Sequence, residues 1–158
     1  MLMEVKLLKA LEWVAGLPRV LGYSVKPPAY LMTRHGTHTL HDMDMETTNG
    51  ILLIDILVDL TKILEEVHSV GYVHNDLKAD QVAVAVGETK VEVTLLDLGN
   101  MTPLGYQPYG HHIHLGTNEL VKMNYMYPHL APEAISGMKV TAASDIFSFG
   151  KLVEFCNL

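Results

Sequence analysis

The stretch "YVHNDLKADQVAV", residues 72–84, sets a cluster of polar side chains between apolar residues on both sides. The cluster contains a histidine, two aspartates, a lysine and a glutamine. Polar groups that leave water at a bend between two buried elements must each find a partner, or the bend costs free energy. Loops that keep such groups often carry function, because the rigid elements on either side position them. This loop is therefore the first candidate for a functional site.

The composition is that of one folded domain: 158 residues, of which 49% are hydrophobic and 18% are charged. The formal net charge of -7 argues against a nucleic-acid partner, since phosphate binding needs clustered lysine and arginine. The single cysteine, Cys156, excludes an internal disulfide and is expected to pack as a small core residue. It also favours a reducing compartment, so we predict a cytoplasmic protein.

The sequence predicts neither a secretion signal nor a membrane span. Four charged residues within the first twelve positions interrupt the apolar core that a signal peptide needs. The most apolar segment, "GILLIDILVDLTKILEEV" at residues 50–67, carries five charged side chains. A bilayer-spanning helix needs a longer run almost without charge, so this segment is predicted to be a buried helix instead.

Apolar spacing predicts two helices and a hairpin in the first half of the chain. Apolar residues at helical spacing predict a helix over residues 3–14. Two short apolar runs, residues 19–25 and 29–34, are separated by a Pro-Pro pair and predict a β-hairpin. The polar residues 35–50 then lead into a long helix over residues 51–68. Its apolar stripe comprises Leu53, Ile56, Leu57, Leu60, Leu64 and Val67.

The second half is predicted to hold a hairpin, a loop-rich stretch and a final helix. The β-rich runs at residues 81–86 and 91–97 surround the turn sequence "GETK" and predict a second hairpin. Residues 99–132 are predicted to be rich in loops. The last segment, residues 145–158, is an apolar helix candidate.

Four motifs occur in a fixed order: "HNDLKADQ" at 74–81, "DLG" at 97–99, "APE" at 131–133 and "SDIFSFG" at 144–150. In this order, with a helix before the first and a hairpin between the first two, they resemble the C-terminal lobe of eukaryotic protein kinases. The resemblance implies an α+β, kinase-like large lobe that is mainly helical with short antiparallel hairpins. It also implies a partial domain over residues 1–158, with an incomplete small lobe and hinge at 1–35 and part of the C-terminal lobe at 36–158.

The resemblance assigns chemical roles to five residues. Phosphoryl transfer needs a carboxylate that orients the attacking hydroxyl and accepts its proton, and this role is implied for Asp76. Lys78, two residues further along an extended loop, can offset charge on the transferred phosphate. Asp97 is implied to hold Mg²⁺ against the phosphates of ATP, with Gly99 supplying backbone freedom at this cofactor site. Gln81 replaces the asparagine that usually binds a second magnesium ion, and its extra methylene displaces that ligand.

The resemblance implies roles for five further positions, of which Glu4 and Met32 are the looser matches. Glu4 resembles the small-lobe glutamate that pairs with a strand lysine, and Met32 resembles a gatekeeper beside the adenine of ATP. His74 and Asp145 are implied to be scaffolding for the catalytic loop. Glu133 ordinarily pairs with an arginine in a later helix, and we expect that partner to be missing from this chain.

Some parts of the family pattern are not found in this sequence. Nothing in it resembles the glycine-rich phosphate loop or the strand lysine that anchors the nucleotide, and we expect it to begin at about the helix that follows them. Without those groups the phosphates lose charge-assisted hydrogen bonds, so slow or absent catalysis is expected. Asn75 stands where many kinases carry an arginine that pairs with a phosphorylated activation loop, so control by that ion pair is not expected.

The loop-rich stretch holds further candidate sites. The histidines of "HHIH", His111, His112 and His114, could bind zinc, but no cysteine lies near them, and a solvated loop is the preferred interpretation. Several hydroxyls are candidate phosphorylation sites, with ordinary surface hydroxyls as the alternative: Thr102, Tyr106, Tyr109, Thr117, Tyr125 and Tyr127.

Two classes of function follow from these residues. The first is a protein kinase that transfers phosphate from ATP to protein hydroxyls, of the serine/threonine type because "DLKADQ" is closer to that form of the catalytic loop. The second is a pseudokinase-like interaction module without catalysis, whose exposed apolar helices are covered by a protein partner. A fragment of a longer kinase is a third interpretation.

Overall fold

The structure is a computed structural model that describes residues 2–88, 90–107 and 116–158. Within these ranges the helices are α1 (Leu2–Ala10), α2 (Gly50–Ser69), α3 (Thr117–Met126), α4 (Pro132–Ile135) and α5 (Ala142–Phe155). The strands are β1 (Val20–Ser24), β2 (Ala29–Met32), β3 (His38–Thr39), β4 (Tyr72–Val73), β5 (Val82–Val86), β6 (Val91–Leu95) and β7 (Thr102–Pro103). The paired strands are antiparallel throughout these small sheets.

The chain divides into two compact units. The first consists of Met1–Glu66 and Ala79–Gly99 and contains α1, most of α2, and strands β1, β2, β3, β5 and β6. The second consists of Val67–Lys78 and Asn100–Leu158 and contains β4, β7, α3, α4 and α5. The loop of the first motif therefore lies mainly in the second unit, and the "DLG" motif lies in the first.

In the first unit, α1 leads into the β1–β2 hairpin. The hairpin that the sequence predicts is present, with Tyr23 opposite Tyr30. The helix ends at Ala10, earlier than the predicted residue 14, and the chain turns over the next residues. Leu11 and Val14 are nevertheless buried. Their helical spacing arises because the turn continues the buried face of the helix.

The first unit also contains a three-stranded sheet in the order β3–β5–β6. The β5–β6 hairpin is the one predicted from the β-rich runs, and Val84 lies opposite Val93. Strand β3 was not predicted, because two residues are too few to form an alternating pattern. The N–H of Leu96 donates to the carbonyl oxygen of Gln81 at 2.7 Å, which continues the pairing beyond the strands.

Helix α2 buries the apolar stripe that the sequence predicts. All six members of the stripe are buried: Leu53, Ile56, Leu57, Leu60, Leu64 and Val67. The opposite face carries charged residues, as expected for a helix packed on one side. Neither α2 nor any other helix among the described residues is long and apolar enough to cross a bilayer.

In the second unit, β4 pairs with β7 and a small core forms beside the "APE" motif. The core contains Val73, Ala131, Ala134 and Val140. Helix α5 begins at a capping box: Thr141 Oγ1 accepts a hydrogen bond from the N–H of Ala143 at 3.2 Å, and Ser144 Oγ accepts one from the N–H of Thr141 at 3.1 Å. These side chains set the first turn of α5, where Asp145 lies.

The prediction that residues 99–132 are rich in loops is wrong in part. Helix α3 occupies ten of these residues, and β7 and the start of α4 also lie among them. Helix α3 has no buried apolar stripe, since Val121 and Met126 are both exposed. A helix without a buried face leaves no apolar period in the sequence, which is why the pattern did not reveal it.

Candidate active site

A buried aspartate anchors the loop of the first motif. Asp145 is fully buried and accepts hydrogen bonds from the backbone N–H groups of His74 and Asn75, at 2.8 and 3.0 Å. The Nε2 atom of His68 lies 2.8 Å from the same carboxylate. These three donors offset the free-energy cost of burying the charged carboxylate. The start of α5 therefore holds the backbone of residues 74 and 75, which is the scaffolding role that the resemblance implies for Asp145.

Asn75 adopts a left-handed backbone conformation, with a φ of 65°. Asparagine is one of the few non-glycine residues that tolerate this region. Its Nδ2 donates to the carbonyl oxygen of Asn100 at 3.3 Å and to Thr102 Oγ1. Its Oδ1 is buried without a hydrogen-bond partner among the described residues. Within the second unit, the neutral amide of Asn75 thus connects the loop of the first motif to the segment that begins at Asn100.

The next residue, Asp76, receives polar groups from three different segments. Its Oδ1 lies 2.9 Å from Nε2 of His129, and its Oδ2 accepts from Nδ2 of Asn100 at 3.3 Å. The ammonium group of Lys78 lies 3.5 Å from Oδ2. The side chain of Asp76 is only 15% exposed. The structure therefore brings together Asp76 and Lys78, the two residues predicted to be catalytic.

Opposing effects act on the pKa of Asp76. Burial raises the pKa, but the hydrogen bond from His129 and the positive charge of Lys78 lower it, and together they hold the pKa below the usual aspartate value. Asp76 is therefore an ionised hydrogen-bond acceptor at neutral pH. Such a carboxylate can accept a proton from a hydroxyl that approaches it.

In the first unit, Asp97 and Gln81 come together at the end of the β5–β6 hairpin. Gln81 Nε2 donates to Oδ2 of Asp97 at 3.3 Å, and the N–H of Gly99 donates to Oδ1 at 3.2 Å. Asp97 has a left-handed backbone, with a φ of 53°, and is exposed. The three residues predicted to bind the cofactor in this segment are thus neighbours.

A cavity of about 350 Å³ lies beside Asp97 in the first unit. Its lining includes Glu4, Tyr30 and Met32, so the predicted gatekeeper Met32 and the predicted metal ligand Asp97 face the same space. Burial, together with the neighbouring Glu4 carboxylate, raises the pKa of Tyr30. A tyrosine hydroxyl is therefore the neighbour of Glu4 at this cavity.

The family that this architecture belongs to follows from a comparison of sequences. A sequence model of the family described as "Protein tyrosine and serine/threonine kinase" matches residues 1–157. The chain belongs to the protein kinase family. The resemblance predicted from the four motifs is thereby confirmed.

Individual relatives and solved structures agree with this assignment. The "Inhibitor of nuclear factor kappa-B kinase subunit beta" of Bos taurus is 28% identical over 104 residues, which are 66% of this chain, and the proteins of that name from Rattus norvegicus and Mus musculus match to the same extent. The chain spans 12% of the length of these curated relatives. The structure of the Cydia pomonella granulovirus kinase PK-1 matches 94% of this chain with a TM-score of 0.67 and 18% identity, and this chain covers 50% of it. The fold is therefore protein kinase-like, α+β with small antiparallel sheets.

Protein kinases use ATP and magnesium ions, and the residues around Asp97 suit such ligands. The carboxylate of Asp97 and the amide of Gln81 supply oxygen atoms, which a hard cation prefers. Gln81 turns its Nε2 toward Asp97, so its Oε1 is the amide atom available to a cation or to water. The exposure of Asp97 leaves its carboxylate accessible to a ligand.

Two of the other predicted residues have a defined place in the structure, and four lie outside the described residues. His74 is fully buried, and Glu133 accepts a hydrogen bond from Ser144 Oγ at 2.6 Å, so a serine is its partner in this structure. The histidines His111, His112 and His114, and Tyr109, lie outside the described residues. Across the described ranges, no group of three or more histidine, cysteine or acidic side chains could hold a metal ion.

Sequence reasoning missed His129 and Asn100, which both contact Asp76. His129 lies 53 positions from Asp76 along the chain, and Asn100 lies 24 positions from it. The only signal for His129 was its place two residues before the "APE" motif. The "HHIH" cluster carries a more conspicuous histidine pattern, because clustered histidines are the usual sign of a metal site.

Proposed function

We propose that this chain carries the large-lobe apparatus of a protein kinase, which transfers the γ-phosphoryl group of ATP to a serine or threonine hydroxyl of a protein. In this proposal residues 1–35 are a small-lobe remnant with the hinge, and residues 36–158 are part of the C-terminal lobe. The observation that carries the proposal is the Asp76 site, where a largely buried, ionised carboxylate lies 3.5 Å from the ammonium group of Lys78.

Asp76 and Lys78 have distinct roles in this proposal. Asp76 orients the attacking hydroxyl and accepts its proton, for which an ionised carboxylate is required. Lys78 offsets negative charge on the group being transferred. The backbone hydrogen bonds from His74 and Asn75 to Asp145 support these roles, because they fix the loop on which both side chains lie.

Asp97 and Gln81 are the proposed metal ligands, with Gly99 beside them and Met32 at the nucleotide cavity. A bound magnesium ion neutralises charge on the phosphates of ATP. The chain's own contribution is to hold the Asp97 carboxylate through the Gln81 amide and the N–H of Gly99, at 3.3 and 3.2 Å. The proposal of serine/threonine specificity rests on the "DLKADQ" form of the catalytic loop, and the proposal of a cytoplasmic location rests on the single cysteine.

Calorimetric titration with magnesium and ATP tests this function. The wild-type chain should release or absorb heat on binding, and the isosteric Asp97→Asn variant should bind at least tenfold more weakly, because it loses the charge that holds the metal. A phosphorylation assay with a generic protein substrate should show slow turnover, because the nucleotide-anchoring groups are not found in this sequence, and Asp76→Asn should abolish it. Wild-type protein that gives no heat and no turnover would contradict the proposal.

A second candidate function is a non-catalytic interaction module, which one observation favours. Ile51, Ile54 and Val58 on α2 are exposed although each is a large apolar side chain. Exposed apolar residues that recur on one helix are typical of a surface that a protein partner covers. The titration separates the two candidates, since an interaction module of this kind should show no heat that depends on Asp97.

A further inference from the structure

His129, the histidine beside Asp76, is held in a defined position by its contacts. His129 follows Tyr127 in the segment between α3 and α4, and its Nε2 lies 2.9 Å from Oδ1 of Asp76. An ionised carboxylate can only accept hydrogen bonds, so Nε2 is the ring atom that carries the proton. The side chains of His129 and Asp76 are only 17% and 15% exposed. Little water therefore competes for this contact.

One helix fixes both ends of this contact. Ser148 Oγ, on α5, donates to the carbonyl oxygen of His129 at 2.6 Å. Asp145, three residues earlier on the same helix, accepts the backbone N–H groups just before Asp76. Residues three apart lie on one face of a helix, so a single face of α5 positions the histidine and the aspartate together. Ser148 and Asp145 are both buried, which makes this arrangement rigid.

The remaining contacts of Asp76 define where a further hydrogen bond can form. A carboxylate has about four positions at which it can accept a donor. Asn100 and Lys78 both approach Oδ2, at 3.3 and 3.5 Å, whereas within residues 2–88, 90–107 and 116–158 the polar side chain that approaches Oδ1 is His129. The unused position is therefore on Oδ1, next to the histidine. Among the described residues, His129 and Lys78 are the titratable side chains that contact this carboxylate.

We propose that His129 is a positioning residue, whose ring N–H fixes the Asp76 carboxylate so that the unused position of Oδ1 meets the hydroxyl to be phosphorylated. This inference rests on the proposed kinase function. In the transfer, the hydroxyl oxygen bonds to phosphorus, the bond from phosphorus to the leaving ADP oxygen breaks with its electron pair, and the hydroxyl proton passes to Oδ1. His129 keeps its own proton and acts only through the orientation and charge of Asp76. Its hydrogen bond is also one of the effects that lower the pKa of Asp76.

Two substitutions at position 129 test this role. His129→Phe keeps a ring but removes the donor, whereas His129→Gln keeps an N–H donor of similar reach. We expect His129→Phe to lower kcat about 10- to 100-fold with the KM for ATP changed less than about twofold, because a misplaced catalytic group affects the chemical step. His129→Gln should restore most of kcat. His38→Phe, at an exposed histidine, is the matched control and should leave both parameters unchanged.

A second measurement does not depend on turnover. Carbon-13 NMR of labelled aspartate carboxyl groups, assigned with Asp76→Asn, gives the pKa of Asp76 in each variant. We expect this pKa to rise in His129→Phe and to return toward the wild-type value in His129→Gln. An Asp76 pKa that His129→Phe leaves unchanged, or a folded His129→Phe protein with wild-type kcat, overturns the proposal. The absence of any heat with magnesium and ATP would instead count against the proposed function, while the NMR arm still decides the role of His129.

Discussion

The two carboxylates that the motifs single out, Asp76 and Asp97, are held in opposite ways. Asp76 in the second unit is largely buried and is approached by His129, Asn100 and Lys78. Asp97 in the first unit is exposed and accepts hydrogen bonds from the Gln81 amide and from a backbone N–H two residues away. Within the part of the chain that the structure describes, three side chains therefore contact the Asp76 carboxylate, whereas one side chain and one backbone group contact that of Asp97.

The difference matches what each proposed role demands. A proton acceptor has to keep one orientation and stay ionised, and only the protein can supply the donors that do this. A metal ligand must instead leave its oxygen atoms accessible to the cation, which then supplies most of the attraction. Substitutions that act on one carboxylate or the other test this difference.

The largest difference is expected between Asp145→Asn and Asp97→Asn. In Asp145→Asn, one acceptor oxygen becomes an N–H₂ group, so at least one of the donors from His68, His74 and Asn75 is left unpaired in the interior. We expect a loss of about 3 kcal/mol in the free energy of unfolding. Asp97→Asn changes an exposed side chain and should stay within about 0.5 kcal/mol of wild type. Urea unfolding followed by circular dichroism measures both, and equal losses would contradict the comparison.

Two glycines with the same backbone conformation extend the comparison. Gly16 in the first unit and Gly71 in the second both have a φ of 85°. An added Cβ at Gly16 would clash with Cδ1 of Ile63, whereas at Gly71 it would meet nothing within 4 Å. Gly71→Ala should therefore cost about 1 kcal/mol from the backbone alone, and Gly16→Ala about 3 kcal/mol.

Urea unfolding again measures the two glycine variants. Gly16 also accepts the N–H of Leu95 on β6, two residues before Asp97, so its substitution disturbs the strand that positions that carboxylate. The double variant Gly16→Ala, Ile63→Val should recover part of the loss, since it shortens the side chain in the way. Identical losses for the two single variants would mean that the contact with Ile63 does not matter.

A smaller effect is expected at the start of α5. Thr141→Ala removes the side-chain oxygen that accepts the N–H of Ala143 and should lower the free energy of unfolding by about 1 kcal/mol. Thr141→Ser keeps that oxygen and should remain within about 0.3 kcal/mol of wild type. The same circular dichroism assay applies. If the serine variant loses as much as the alanine variant, the methyl group rather than the cap is the stabilising feature.

The smallest effect is the pH dependence that Asp76 contributes. The folded protein holds the pKa of Asp76 below its unfolded value, so in acid the unfolded state binds more protons than the folded state. The stabilisation from Asp76 is complete above the ordinary aspartate value of about 3.9 and is lost as the pH falls through the lower, folded value. The difference in unfolding free energy between wild type and Asp76→Asn should shrink as the pH is lowered from 7 to 3. A difference that grows in acid would show the opposite sign of the pKa shift.

Periodicity predicted the parts of the fold that bury one face. The six-residue stripe of α2 and the β5–β6 hairpin are present as predicted, because burial itself creates the apolar spacing. Helix α3 escaped prediction because it buries no stripe, and β3 escaped because it is two residues long. The end of α1 was misplaced because a turn continued its buried face.

The candidate site was predictable where its residues belong to the four motifs. Asp76 and Lys78 lie on one loop, and Asp97 and Gly99 on another, so the motifs displayed them directly. His129 and Asn100 reach Asp76 through tertiary structure, and a single sequence carries no record of such distant contacts. The hydroxyl partners of Glu4 and Glu133 were missed for the same reason.

The buried thiol of Cys156 is a natural probe of how often the C-terminal end of α5 opens. Cys156 caps the C-terminal end of α5, is 2% exposed, and has its pKa raised by burial. Alkylating reagents attack the thiolate, so in native buffer they should react only during moments when this end of the helix opens. The rate of alkylation thus reports how often the end of α5, the helix that carries Asp145 and Ser148, opens to solvent, with no introduced label. Variants that weaken the hydrogen bonds of Asp145 or Ser148 should increase the rate at which Cys156 is alkylated.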